Sequence, residues 1–286
     1  MIETMLTRYS IKNDNDYRQA LREIMQEIAL AGLYRGNFFK KAAFYGGTAL
    51  RIFYKLDRFS EDLDFSLLKS DPDFSLTPYF NAIEKEFRAL GINISVTSKV
   101  KKTKTKTAIE SAFLKSTSSI HILELQGTDL QQWKISKPLK IKFEVDTDPP
   151  QGFSTEEKLL LHPFSFYVKC YQTSDLFAGK LHALLYRSWK NRVKGRDWYD
   201  FEWYIRKGYP VNPHHFLERA HQSGELLDKK SLVLDELQGL LVERIKTINF
   251  KQAKDDVLPF IKNNQVLELW SQEYFKDLVM QLAASD

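Results

Sequence analysis

Residues 44–65 read FYGGTALRIFYKLDRFSEDLDF, and this stretch predicts the centre of the fold. An apolar strand ends in a pair of glycines that begins at Gly46, where a backbone without side chains can turn sharply. A short helix is predicted to open near Thr48, with the positive end of its dipole suited to an anion. The next strand carries Asp62 and Asp64, which share one face because side chains alternate along a strand.

The two aspartates predict a divalent cation. Carboxylates on one strand face repel each other unless a cation lies between them, and hard oxygen ligands of this kind suit Mg²⁺ that bridges phosphates. Taken singly, a solvated acidic strand end and an ordinary Gly-Gly turn are common and need no function. Because both occur together and in this order, the stretch favours a site for a metal-bound triphosphate.

Composition bounds the class of protein. A chain of 286 residues with 43% hydrophobic content is long enough for one large domain or two modest ones. We expect a cytoplasmic protein with no membrane contact, because no apolar run approaches a bilayer span and the N-terminus lacks an apolar signal core. Cys170 is the sole cysteine, which excludes an internal disulfide and predicts a buried small residue.

Two further strands are predicted over residues 119–126 and 139–146. In the second strand, apolar residues alternate with charged ones, so Glu144 and Asp146 are expected on the face away from the core. A plain exposed strand face is an equally good interpretation of these two carboxylates.

A lysine-rich run follows the predicted strand at 92–96. Its members are Lys99, Lys101, Lys102, Lys104 and Lys106. Such a run is typical of a solvated sheet edge. It also suits the tracking of RNA phosphates, which needs charge without fixed geometry, and the net charge of +5 is compatible with a polyanionic partner.

The sequence becomes mostly helical from about residue 170, with a domain boundary expected near 165–172. Ser174-Asp175 is predicted to cap a helix that contains Lys180 within an apolar stripe. A lysine in this position usually extends its charged end to solvent, although it could also reach a triphosphate. Asp197 lies in the first turn of a later helix, where any helix favours an acid.

These segments resemble a known family. The runs Gly46–Leu50 and Arg58–Phe65 resemble the signature of the AbiEii/AbiGii-type nucleotidyltransferase toxins of the polymerase-beta nucleotidyltransferase superfamily. Residues 177–181, Phe-Ala-Gly-Lys-Leu, and residues 196–200, Arg-Asp-Trp-Tyr-Asp, are similar to the lysine and aspartate motifs of the same family. The resemblance covers roughly residues 40–205.

The resemblance implies a fold and an activity. The expected fold is α/β (α+β), with a polymerase-beta-like nucleotidyltransferase domain of mixed sheet at 1–170, a mostly helical C-terminal domain at 171–286 and an active site in the cleft between them. The implied reaction is Mg²⁺-dependent transfer of a nucleoside monophosphate from an NTP to RNA, in particular the tRNA 3′ end. The implied role is that of a toxin in a toxin–antitoxin or abortive-infection system, restrained by a cognate antitoxin.

The resemblance also assigns site residues. Members of the superfamily carry a third acid on a neighbouring strand, which we match to Glu144, with Asp146 as the open alternative. The implied catalytic residues are Asp62, Asp64, Glu144, Lys180 and Asp197, of which Asp62, Asp64 and Glu144 would hold metal. The implied substrate-binding residues are Gly46, Gly47, Thr48, Arg58, Ser60 and Arg196.

Two other functions are compatible with the same residues. The same chemistry could act on a protein hydroxyl or on a small molecule such as an antibiotic, and the lysine run mildly favours RNA. The chain could instead be a nucleotide-binding module without turnover, although an inactive descendant has no need of a costly acidic pair. The sequence leaves open the NTP, the acceptor, the antitoxin and the oligomeric state.

Overall fold

The computed structural model describes residues 1–99, 118–125, 139–187 and 193–285, so the lysine run beyond Lys99 lies outside the described residues. The chain forms two compact units. The first, here called the sheet unit, comprises Met1–Tyr54, Ser60–Pro149 and Thr155–Cys170. The second, here called the helical unit, comprises Lys55–Phe59, Pro150–Ser154 and Tyr171–Asp286. The helical unit takes two short segments from before the 170/171 division, and no feature of the sequence indicates these segments.

The sheet unit is built on a mixed sheet. Its strands within the described residues are β1 (Ala42–Tyr45), β2 (Leu63–Leu67), β3 (Ile94–Lys99), β4 (Ser118–Leu125), β5 (Lys140–Asp146), β6 (Thr155–Leu160) and β7 (Phe166–Tyr171). The order is β3-β4-β5-β2-β1-β7-β6. Strand β2 is antiparallel to β1 and parallel to β5, so β2 lies at the centre, where both of its edges are paired. The predicted fold class, a mixed sheet followed by a helical part, is confirmed.

Four helices belong to the sheet unit in the described residues: α1 (Ile2–Leu6), α2 (Asp14–Arg35), α3 (Gly46–Tyr54) and α4 (Thr77–Ala89). The Asn13 side chain accepts a hydrogen bond from the Asp16 backbone N–H and caps α2, as asparagine commonly does. Helices α2 and α4 pack closely because Gly32 has no side chain: an added Cβ would lie 2.5 Å from the Ile83 Cα. Their apolar faces join the inner face of the sheet in one core, which includes Phe44 and Phe65.

The helical unit contains six α-helices in the described residues: α5 (Thr173–Tyr186), α6 (Gly195–Arg206), α7 (Pro213–Gln222), α8 (Leu234–Lys246), α9 (Phe250–Val257) and α10 (Gln272–Val279). Aromatic side chains fill its core. Phe275 is fully buried and its ring lies 5.1 Å from that of Trp198 and 4.8 Å from that of Phe250. This packing places Phe275 in the core of the helical unit.

Several local predictions were wrong. Asp175 does not cap α5, which begins at Thr173; its carboxylate accepts hydrogen bonds from the Ser154 backbone N–H at 2.8 Å and from the Asn212 amide at 2.7 Å. From the sequence alone, His214-His215 after Pro213 is most simply a surface turn, but both residues lie in helix α7. Its capping residue is Asn212, and His215 is fully buried. Proline in the first turn, preceded by asparagine, is a helix-start signal that the interpretation overlooked.

Gly195 allows α6 to begin directly against α9. A Cβ on this residue would lie 1.8 Å from the backbone oxygen of Ala253, an overlap that a side-chain rotation cannot relieve. We expect Gly195→Ala to lower the free energy of unfolding by about 1–3 kcal/mol, the range for overpacking.

The matched control is Gly239→Ala. Gly239 lies inside α8 and has nothing within 4 Å of an added Cβ, so the substitution should stabilise the protein by about 0.5–1 kcal/mol through helix propensity. Urea unfolding of both variants measures the difference. Equal effects of the two substitutions would show that the contact of Gly195 with Ala253 is not tight.

Candidate active site

The paired aspartates lie at the start of the central strand of the sheet. Asp62 immediately precedes β2 and Asp64 lies within it, both partly exposed, while Leu63 and Phe65 are fully buried. The alternation predicted from the sequence is therefore present, with the acidic residues on one face and the core residues on the other.

The neighbouring strands bring further residues beside this pair. Asp64 is opposite Tyr45 on β1 and opposite Glu144 on β5. Asp146 is opposite Ser66, farther along the strand. Glu144 is thus the nearer of the two candidates for a third carboxylate.

Gly46 permits the close approach of Asp64 to the start of α3. Its φ of +81° lies in the left-handed region that favours glycine. A Cβ at this position would meet the Asp64 Oδ2 atom at 2.5 Å. The glycine therefore lets the carboxylate lie against the backbone at the first residue of the helix, as expected from the Gly-Gly turn.

Polar contacts hold the turn that carries Asp62. The fully buried Thr48 hydroxyl donates a hydrogen bond to the Asp62 carbonyl. The Gln26 amide donates to the Ser60 carbonyl at 3.2 Å, and Arg22 forms an ion pair with Glu61 at 3.3 Å. Thr48 and Ser60, both predicted to bind substrate, thus have a clear part in fixing the backbone at the first aspartate.

A lysine from β5 lies among these carboxylates. The Lys142 ammonium donates a hydrogen bond to Glu144. Burial alone would lower the pKa of Lys142, but the hydrogen bond to Glu144 and the charges of Glu144, Asp62 and Asp64 raise it above its usual value. The face of the sheet that carries Asp62, Asp64 and Glu144, here called the acidic face, therefore contains a positive charge that was not predicted from the sequence.

The donor set of this face fits Mg²⁺ through the two aspartates. Both are hard oxygen donors, and the Asp64 carboxylate occupies the space that a Cβ would fill at Gly46, the first residue of α3. Among the described residues, no group of three or more His, Cys, Asp or Glu side chains is arranged to hold a metal ion. Glu144 forms an ion pair with Lys142, and its role as a third metal ligand stays a prediction.

A second group of charged residues lies in the helical unit. The Lys180 ammonium is 2.7 Å from a carboxylate oxygen of Asp197 and 2.7 Å from one of Asp200. Arg58 binds Asp200 through two parallel hydrogen bonds, each of 2.6 Å. Two cations and two carboxylates thus form one buried network.

Burial and charge act against each other in this network. Burial favours the neutral form of each carboxyl, but the charge of Lys180 lowers the pKa of Asp197, and Arg58 and Lys180 together lower the pKa of Asp200. Burial would also lower the pKa of Lys180, yet its two aspartates raise it. All members are consequently charged at neutral pH.

The structure changes the interpretation of two arginines. The Arg58 side chain is 4% exposed, and its guanidinium donates hydrogen bonds to Asp200 and to the Phe59 carbonyl inside the helical unit. Substrate binding by Arg58 stays a prediction. Arg196 packs its guanidinium on the Phe260 ring, 4.1 Å from the centroid. Neither contact requires a substrate.

Asp200 is the site residue that sequence reasoning missed. It is fully buried and central to the network. The available signal was its position three residues after Asp197, which places both carboxylates on one helix face. The motif at residues 196–200 contains this second aspartate, for which no role was predicted.

No helix in the part of the chain that the structure describes is long and apolar enough to cross a bilayer.

The fold and the acidic strand agree with the nucleotidyltransferase class expected from the sequence. A family model described as nucleotidyl transferase AbiEii toxin, type IV toxin–antitoxin system, matches residues 13–279. The chain therefore belongs to the AbiEii family of nucleotidyltransferase toxins. Membership implies a nucleotide substrate and an antitoxin partner.

One solved structure agrees with the fold. The crystal structure of JHP933 from Helicobacter pylori is 16% identical, with a TM-score of 0.50 over 95% of this chain and 92% of that chain. A second H. pylori structure, provisionally described as a nucleotidyltransferase, is 18% identical, with a TM-score of 0.47 over 90% of this chain and 89% of that chain. At this identity the likeness to JHP933 concerns the fold alone. No curated protein matches the sequence significantly.

Proposed function

We propose that this chain transfers a nucleoside monophosphate from an NTP to RNA in the cytoplasm, with the tRNA 3′ end as acceptor, and thereby acts as the toxin of a toxin–antitoxin system. The observation that carries the proposal is the position of Asp62 and Asp64 beside the turn at Gly46, where α3 begins. Carboxylates and a helix N-terminus together are what a metal-bound triphosphate needs.

The proposal gives each residue of the acidic face a task. Asp62 and Asp64 would hold Mg²⁺, which would stabilise the attacking and leaving oxygens of an in-line displacement. The backbone N–H groups of Gly46 and Gly47 would contact phosphate oxygens, while Thr48 keeps the backbone of Asp62 in place. Glu144 would help to remove the proton of the attacking hydroxyl, because its register opposite Asp64 brings it to the same face.

Lys180 and Asp197 are proposed as essential residues of the same reaction. A buried ammonium with a raised pKa stays positively charged and could neutralise phosphate charge, because its three donors can follow the phosphates through the reaction. Asp197 would hold that ammonium in one rotamer through the 2.7 Å hydrogen bond. Asp200 also contacts the Lys180 ammonium at 2.7 Å, and Arg58 holds Asp200 in place through two hydrogen bonds.

RNA is the proposed acceptor for electrostatic reasons. The sequence carries 42 basic and 37 acidic side chains, and five of the lysines lie in one short run. The phosphates of an RNA backbone attract such a lysine-rich segment through charge alone, so no precise geometry is needed. A small-molecule acceptor would not need this charge.

The test is transfer of label from each of the four NTPs, labelled either at the α or at the γ phosphate, to total RNA in the presence of Mg²⁺. We expect at least one NTP to pass its α label, and not its γ label, to RNA of tRNA size. Oxidation of the RNA 3′ end with periodate should block the transfer. Label on protein, or transfer only to small molecules, would replace the RNA acceptor, and failure to bind any NTP would overturn the activity itself.

A further inference from the structure

The position of Lys142 relative to the acidic face follows from the register of two parallel strands. Asp64 is paired with Glu144, so two residues earlier on each strand the neighbours are Asp62 and Lys142. Side chains two residues apart share a face, which places all four charged groups in one patch. The ammonium donates to Glu144, and both aspartates interact with it electrostatically.

The surroundings of Lys142 differ from those of a second lysine–glutamate pair on the sheet. Lys158 and Glu156 are also two residues apart on one strand, with an N–O distance of 2.7 Å and side chains 29% and 32% exposed. Lys142 and Glu144 have similar exposure, 35% and 27%, but Lys142 additionally interacts with two more carboxylates. A surface pair such as that of Lys158 contributes little to stability, so the gathering of three carboxylates around one ammonium calls for another explanation.

The ammonium of Lys142 is a positive charge beside the carboxylates of the acidic face. It therefore partly replaces a cation that these carboxylates would otherwise bind from solution. Three carboxylates and one ammonium leave a net charge of −2, which a divalent cation would neutralise. A cation that binds there must meet the repulsion of Lys142 or displace it. Because the lysine side chain is partly exposed and flexible, it can turn toward an anion that arrives at the same place.

We propose that Lys142 is a resident counter-ion of the acidic face, which lowers the affinity of Asp62 and Asp64 for a divalent cation alone and turns to the phosphate oxygens when a triphosphate arrives. The inference rests on the proposed function. It makes metal binding depend on the triphosphate, since only an anion gives the ammonium a new partner. The lysine would thus select the metal–triphosphate complex over the metal.

The experiment measures Mn²⁺ binding by electron paramagnetic resonance at one pH and ionic strength, without nucleotide. Lys142→Met should bind Mn²⁺ about tenfold or more tightly than the wild type, because a positive charge a few ångströms from a divalent ion is removed. Lys142→Arg should behave as the wild type, and Lys158→Met, the matched control on β6, should leave the affinity unchanged. Thermal unfolding of each variant confirms that the fold is kept.

A second measurement uses inorganic tripolyphosphate at saturating Mn²⁺. Lys142→Met should bind labelled tripolyphosphate about tenfold more weakly than the wild type, reversing the order seen with Mn²⁺ alone. Mn²⁺ binding that needs Asp62 and Asp64 but is equal in wild type and Lys142→Met would overturn the role of Lys142 and leave nucleotidyl transfer standing. Mn²⁺ binding that is unchanged by Asp62→Asn plus Asp64→Asn would overturn the proposed function together with this inference.

Discussion

Replacing both Asp62 and Asp64 by asparagine will lower the rate of nucleotidyl transfer by about a thousandfold or more. Loss of the metal ion proposed to stabilise both oxygens of the displacement would remove several kcal/mol of transition-state stabilisation, which corresponds to this factor. The measurement is transfer of α-labelled NTP to RNA by purified protein. Because asparagine keeps the shape, and the repulsion between the two carboxylates is lost together with their attraction to Lys142, the free energy of unfolding should change little.

The matched control carries the same change in net charge elsewhere in the sheet unit. Asp73→Asn plus Glu84→Gln alters an exposed turn residue and a partly exposed residue of α4. Transfer by this variant should equal that of the wild type at every salt concentration. If the two double variants lose activity to the same extent, the acidic strand has no special part in the reaction.

Removing Arg58 will have the largest effect on stability. Arg58→Met should lower the free energy of unfolding by about 3–5 kcal/mol, the cost of leaving a buried charge without its partner. The fully buried Asp200 would keep only Lys180, and the network would change from neutral to a net charge of −1. Urea unfolding at pH 7 measures this, with Lys246→Met as control, since Lys246 and its partner Glu243 are 52% and 70% exposed and such pairs contribute about 0–1 kcal/mol.

A double variant and a change of pH separate the charge effect from a packing effect. Arg58→Met combined with Asp200→Leu restores neutrality and should cost clearly less than the sum of the single substitutions. The pKa of Asp200 is lowered in the folded protein, so its contribution is full above the unfolded value of about 3.9 and declines as the pH falls below it. The gap between wild type and Arg58→Met should therefore narrow below about pH 4. Additive costs with no pH dependence would point to packing alone.

The local features near the acidic pair were predictable because they depend on neighbours in sequence. The alternation around Asp62 and Asp64 and the positive φ at Gly46 follow from period two and from the lack of a Cβ. The pairing of Asp64 with Glu144 was predictable only through the family resemblance, which implies a third acid on a neighbouring strand. The pairing of β2 with β5 depends on the sheet topology, which no local sequence pattern indicates. Lys142 was overlooked for the same reason.

Contacts between residues distant in sequence could not be predicted. Arg58 and Asp200 are separated by 142 residues, and no periodic pattern in a sequence indicates that two such residues form a pair. Strand β6 was not predicted because its Thr-Glu-Glu-Lys-Leu-Leu segment at 155–160 lacks the alternation of a half-buried strand. Strand β7 has that alternation, with Phe166, Val168 and Cys170 buried, and was overlooked. The last helical segment is a 3₁₀ turn at Asn264–Leu267 followed by α10, which begins only after the capping Ser271.

The buried Cys170 makes the protein suitable for selective spin labelling of an introduced cysteine. Its thiol is fully buried, and burial raises its pKa well above the usual range, so maleimide reagents should leave the folded wild type unlabelled. A cysteine introduced at the exposed Lys69, beyond the far end of β2, would then be the one reactive thiol and could carry a nitroxide. Lys69 is seven residues from Asp62, so the strand rise sets an upper limit of roughly 23 Å for their separation, a span over which bound Mn²⁺ would measurably shorten the relaxation of the spin label.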